Sequence, residues 1–135
     1  MKNFTSNSQK IGELGEGIAC KFLMKHGFSI LERNYTKKWG EIDIIAKKGD
    51  MIYFIEVKSM NRALDKDQDL SDRYSSFRPE ENMHPMKLKR LSRTIQTYLI
   101  SKRIGNTPWQ FDLFVVYLDT DKRLARVKRI ENVIL

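Results

Sequence analysis

The chain carries a single cysteine, Cys20, which excludes an internal disulfide and any zinc site built from several thiolates. Its two histidines, His26 and His84, lack metal-ligand spacing, so each reads as an incidental surface residue. No apolar stretch approaches the roughly 20 residues needed to cross a bilayer as a helix. The longest, Phe111 to Leu118, is broken by Asp112. Met1 to Ser8 has no apolar centre of a secretory signal. The nucleophile elbow, the Walker loop and the glycine fingerprint for dinucleotides are all missing. Repeats and low-complexity tracts are missing too. These gaps leave out disulfide scaffolds, helical membrane proteins, P-loop NTPases and Rossmann enzymes, and a reducing, cytoplasmic setting is the expectation.

What is present is positive charge. Lys and Arg number 25 against 17 Asp and Glu, a net charge of +8 in 135 residues. A surface of this kind favours polyanions through phosphate contacts and counterion release. With 41% hydrophobic residues, the length suits one domain, 1–135, with its own core.

The most informative stretch is Gly40-Glu41-Ile42-Asp43-Ile44-Ile45-Ala46, followed by Ile52-Tyr53-Phe54-Ile55-Glu56-Val57-Lys58. Both alternate as strands, and Gly49-Asp50 between them is a two-residue hairpin signal. Lys48 then faces Met51. Counting back along both strands puts Asp43 opposite Glu56 and Glu41 opposite Lys58. Opposed side chains have Cβ atoms roughly 4.5–5.5 Å apart. Period-2 alternation sends Ile42, Ile44, Ala46, Tyr53, Ile55 and Val57 to the other face as core.

Two carboxylates held this close repel, and one should titrate high. A hard cation removes the conflict, since Mg²⁺ takes one or two protein carboxylates and keeps its remaining sites for water or phosphate oxygen. A lysine alongside can hold an attacking water or offset charge growing on a phosphate. Asp43, Glu56 and Lys58 are therefore the minimal kit for metal-dependent phosphodiester hydrolysis. The plain alternative is a surface salt bridge from Lys58 to Glu41 or Glu56.

Elsewhere, Ile11, Leu14, Ile18, Ala19, Phe22 and Leu23 predict a helix from about Ile11 to His26, stopped by Gly27. Glu13 lies opposite its apolar stripe, and Glu16 lies on the flank, as a boundary glutamate or one leaning over the sheet. Gly12, Gly15 and Gly17 cost helix propensity, which close packing would explain. Phe28 to Tyr35 predicts a strand. Ser59 to Pro85 is polar and aperiodic, and reads as a mobile or functional loop, 59–85. Its Asp65, Asp67, Asp69 and Asp72 lack the glycine and terminal glutamate of a calcium loop. Lys87 to Lys102 predicts a second helix, with Leu88, Leu91, Ile95, Tyr98 and Leu99 inward. Lys87, Lys89, Arg90 and Arg93 cluster in its first turns, either as a solvated face or as a phosphate-binding one. Phe111 to Asp119 predicts a strand buried on both faces, and Leu124 to Ile130 a basic edge strand.

Gly15-Glu16, Arg33-Asn34, Gly40-Glu41-Ile42-Asp43, Glu56-Val57-Lys58, Lys87 and Phe111-Asp112 occur in an order that resembles the YraN-like family. These small bacterial proteins are related to the PD-(D/E)XK nuclease superfamily and similar to archaeal Holliday junction resolvases. The resemblance covers most of the chain. It implies an α/β fold with a restriction-endonuclease-like core: a central mixed β-sheet flanked by helices, in the order α-β-β-β-α-β-β. It also implies Asp43, Glu56 and Glu16 as ligands of Mg²⁺ or Mn²⁺, Lys58 as catalytic lysine, a nucleic-acid partner with DNA favoured over RNA, and a homodimer. The family usually carries an arginine two residues after the lysine, where this chain has Met60. The stretch from Asn61 to Ser76 is longer than usual. The expected function is a metal-dependent nuclease acting on DNA, at branched or structured sites. The alternatives are a nucleic-acid-binding protein that does not hydrolyse and an adaptor docking through its basic surface.

Overall fold

The computed structural model describes residues 7–64 and 84–135. Its elements are α1 (Asn7–Lys25), β1 (Ser29–Lys37), β2 (Gly40–Lys48), β3 (Met51–Asn61), α2 (Pro85–Ser101), β4 (Trp109–Asp119) and β5 (Leu124–Ile130). The order is the expected α-β-β-β-α-β-β, around a five-stranded mixed sheet running β1-β2-β3-β4-β5. Three antiparallel strands are followed by a parallel β3–β4 pair and an antiparallel β5 at the far edge. Among the described residues no helix is long and apolar enough to cross a membrane.

Each helix covers one face of the sheet. On α1, Ala19, Cys20 and Leu23 pack against Ile44, Ala46, Ile55, Phe114 and Val116. On α2, Leu91, Ile95, Tyr98 and Leu99 pack against Ile42, Ile45, Ile52, Phe54 and Phe111. β4 is buried from Phe111 to Asp119, as its continuous apolar sequence requires. Asp112 within it is fully buried. Arg129 Nε and Nη2 donate to its Oδ2 at 3.1 and 2.9 Å, and Gln110 and the Asn132 amide donate to its Oδ1. The Arg129 guanidinium also lies over the rings of Phe28, Tyr53 and Phe114.

Helix α1 stops where Gly27 takes φ +87°. Gly15 alone of its three glycines meets a neighbour: a Cβ there would lie 1.8 Å from Ser59 Oγ, so only glycine lets α1 sit on β3. Leu14, expected inward, is 49% exposed, because the stripe passes the edge of the sheet at that turn. His84 is not incidental. It caps α2, its Nδ1 accepting from the Met86 amide at 3.1 Å.

The loop expected over 59–85 begins later. β3 continues to Asn61 because β4 runs beside it in parallel, Ser59 to Asn61 pairing with Val116 to Leu118. Leu64 then folds back into a buried cluster with Leu113, Val115 and Tyr117, its amide donating to Asp119 Oδ2 at 2.8 Å. The polar Lys58-Ser59-Met60-Asn61 run hides this pairing. Residues 65–83, with the four aspartates, lie outside the described residues.

Candidate active site

The hairpin register follows from its turn. Gly49 takes φ +60°, Lys48 faces Met51, and the pairing runs back to Ile44 opposite Ile55. There it ends, one step before Asp43 and Glu56. The neighbouring strand is irregular at the same level. Asn34 adopts φ +53°, and the β1–β2 register passes from Arg33–Ile44 to Tyr35–Ile42 without pairing Asn34 to Asp43. A left-handed residue in a strand swings the chain about its axis. Ile44 joins the α1 core while Ile42 joins the α2 core, which corrects the expectation that both share a face.

Asp43 thus stands at a fork between β2 and β3. Its Oδ2 accepts the Val57 amide hydrogen at 2.7 Å, taking the place of a strand carbonyl. Glu56 and Lys58 lie on the α2 side of β3, paired with Leu113 and Val115. Glu16, on α1, lies near enough to raise the Asp43 carboxyl.

The fork concentrates negative charge. Burial, then Glu56, Glu16 and Glu41, raise Asp43 from 3.8 to about 7, with the Val57 hydrogen bond opposing. Glu16 is also raised, by burial first, then by Glu41, Glu56 and Glu13, against Arg33. Its Oε1 is buried with no hydrogen-bond partner, and Arg33 Nη2 stands 4.0 Å away. Glu56 is better served, because Lys87 Nζ donates to its Oε1 at 2.7 Å. Lys58 is exposed, and among the described residues it forms no ion pair with these acids.

Asp43 and Glu56 offer the hard oxygens that Mg²⁺ or Mn²⁺ prefers, and Glu16 Oε1, ion-paired at long range with Arg33, lacks a hydrogen bond. That much fits a cation. A three-ligand cage does not form, since among the described residues no three His, Cys, Asp or Glu side chains are grouped to hold an ion.

Glu56 faces a cleft of about 390 Å³ lined by Lys37, Lys38, Trp39, Glu41, Lys87 and Arg90, among others. Gly40 lets the β1–β2 turn close against α2, since a Cβ there would lie 2.7 Å from Thr94 Oγ1 and 3.3 Å from the Arg90 carbonyl. Of the four cations expected to bind nucleic acid, Lys87 and Arg90 line this cleft, while the Arg93 guanidinium stacks 4.2 Å over Trp39. Lys89 is exposed outside it. Sequence reasoning missed Lys37, Lys38 and Trp39, whose only signal was a basic, aromatic turn directly before the acid-bearing strand. It also missed Lys87 as the partner of Glu56.

A family model described as "Uncharacterised protein family UPF0102" matches residues 15–116, which includes α1 from Gly15, the fork and most of β4. A UPF0102 protein of Clostridioides difficile is 37% identical over 121 residues, covering 90% of this chain and 96% of that protein. One from Helicobacter hepaticus is 42% identical over 98 residues, 73% of this chain and 76% of the relative. One from Dictyoglomus turgidum is 37% identical over 112 residues, 83% and 86%.

Proposed function

The chain belongs to the uncharacterised protein family UPF0102, and we propose that it is a metal-dependent nuclease that hydrolyses phosphodiester bonds, of DNA in the first instance. One observation carries the reading. Asp43 is pulled out of its strand ladder into a fork where burial and three other carboxylates push it to about 7. Such a charge arrangement is a cost of folding that a divalent cation relieves, and a carboxylate perturbed by burial and by specific charged neighbours marks a candidate functional site.

In this mechanism Asp43 and Glu56 would hold the ion. Bound Mg²⁺ or Mn²⁺ supplies Lewis acidity toward the phosphate and lowers the pKa of a coordinated water. Lys58, on the same side of β3 as Glu56, orients the attacking water or balances charge on the phosphate. Glu16 accepts a hydrogen bond from water through its unpartnered Oε1. Lys37, Lys38 and Arg90 contact the phosphate backbone beside Glu56.

Binding without hydrolysis is the competing reading, favoured by the absence of a three-ligand group among the described residues. One experiment separates the two. The purified chain is incubated with single-stranded, duplex, flap and four-way-junction DNA and with matched RNA, with and without Mn²⁺. Metal-dependent cutting, abolished in Asp43→Ala and in Lys58→Ala while the latter still binds, is the expected result. Binding on every substrate with cutting on none refutes hydrolysis.

A further inference from the structure

Lys87 sits in the first turn of α2, three residues after the capping His84, where the helix dipole disfavours a cation. Its compensation is Glu56, and the pair is lopsided. The lysine side chain is 47% exposed while the glutamate is 17% exposed. Lys87 can swing into water at small cost, whereas Glu56 has little water to turn to. Its partner is the carboxylate that the proposed reaction needs for metal. Lys87 also lines the cleft that Glu56 faces, with Arg90 one turn further along the helix.

We propose that Lys87 is a positioning residue that acts as an internal counter-cation: it holds Glu56 in the absence of metal, is displaced when a divalent cation binds there, and is thereby released to a phosphate in the adjoining cleft. This inference rests on the nuclease reading, because it assumes a metal at Glu56. It goes further by giving the free protein a closed state in which the carboxylate is ordered but blocked. The chain then avoids presenting a bare acid pair, and metal entry is coupled to the readiness of a cation for the substrate.

The test is a calorimetric Mn²⁺ titration of the full chain and of Lys87→Gln, Lys87→Arg and Lys89→Gln, with thermal melts to show that each is folded. Lys89→Gln removes the same charge from the same helix but outside the cleft. Removing the competitor should tighten Mn²⁺ binding about fivefold in Lys87→Gln, the scale of a partly exposed ion pair. Lys87→Arg, which keeps the competing charge, and Lys89→Gln should stay within about twofold of the unaltered chain. The readout is affinity rather than catalysis. Equal or weaker Mn²⁺ binding in Lys87→Gln, with measurable binding in the unaltered chain, overturns the counter-cation role alone. A comparable gain in Lys89→Gln also overturns it, by reducing the effect to net charge. No Mn²⁺ binding by any form overturns the metal site and the inference together.

Discussion

Asp43→Asn should stabilise this protein at neutral and alkaline pH and do nothing of the kind in acid. In the folded chain the carboxyl is raised from 3.8 to about 7, chiefly by burial and then by Glu56. The folded state therefore holds a proton that the unfolded chain has lost across that window. Stability falls as pH rises from about 4 to 7, and the full penalty is present above it. At about 1.4 kcal/mol per unit, three units set a ceiling on the order of 4 kcal/mol. Asparagine is neutral, has the same shape, and its carbonyl oxygen can still accept from the Val57 amide, so most of that ceiling is open to it. A gain of about 2–4 kcal/mol at pH 8 is the expectation, shrinking to near zero at pH 4. Urea denaturation of both proteins at the two pH values measures it. Mn²⁺ at pH 8 should raise the unaltered protein toward the variant and leave the variant unmoved. A variant equally or less stable at pH 8, or a gain of the same size at both pH values, would refute the argument that charge crowding at the fork is what Asp43 costs.

Three further outcomes follow from the packing and the charge. Gly15→Ala brings a Cβ onto Ser59 Oγ and should cost about 2 kcal/mol by urea denaturation, restored largely by Ser59→Gly in the same chain. Arg129→Met leaves the fully buried Asp112 without its cation and should cost about 3 kcal/mol, while adding Asp112→Asn should recover part of that loss. The affinity for a single-stranded oligonucleotide should fall steeply with salt. Arg90→Ala should lower the magnitude of that log–log slope by about 0.7, and a change at Arg126 on the far edge strand should not, as fluorescence anisotropy at several salt concentrations will read.

Where one strand or one turn decides the outcome, the sequence was a sufficient guide. The Gly49-Asp50 turn set the hairpin register, and β5 runs from Leu124 to Ile130 as its composition indicates. The extent of the 59–85 loop was misread because β3 is continued by a partner strand more than fifty residues away, and polar alternation looks the same with or without that partner. Leu14 was misread because helical periodicity gives the stripe but not where the sheet beneath it ends.

The acids themselves were legible; their arrangement was not. Reading β2 alone, period 2 puts Asp43 on the face of Glu56 and Ile42 with Ile44, and nothing within β2 contradicts it. In the structure Ile42 and Ile44 part company, at the level where the left-handed Asn34 on β1 interrupts the pairing beside Asp43. The irregularity beside the proposed catalytic geometry thus lies partly on a strand that contributes no acid to it. Local rules fail together at this one place: a left-handed asparagine inside a strand, a ladder that stops early, a carboxylate standing in for a carbonyl, and a buried glutamate oxygen without a hydrogen-bond partner. A fold under selection for stability alone would remove each of these with a single substitution. Their coincidence around Asp43, next to a Glu56 that lines a cleft with Lys37, Lys38, Lys87 and Arg90, is the strongest physical reason to look for chemistry there.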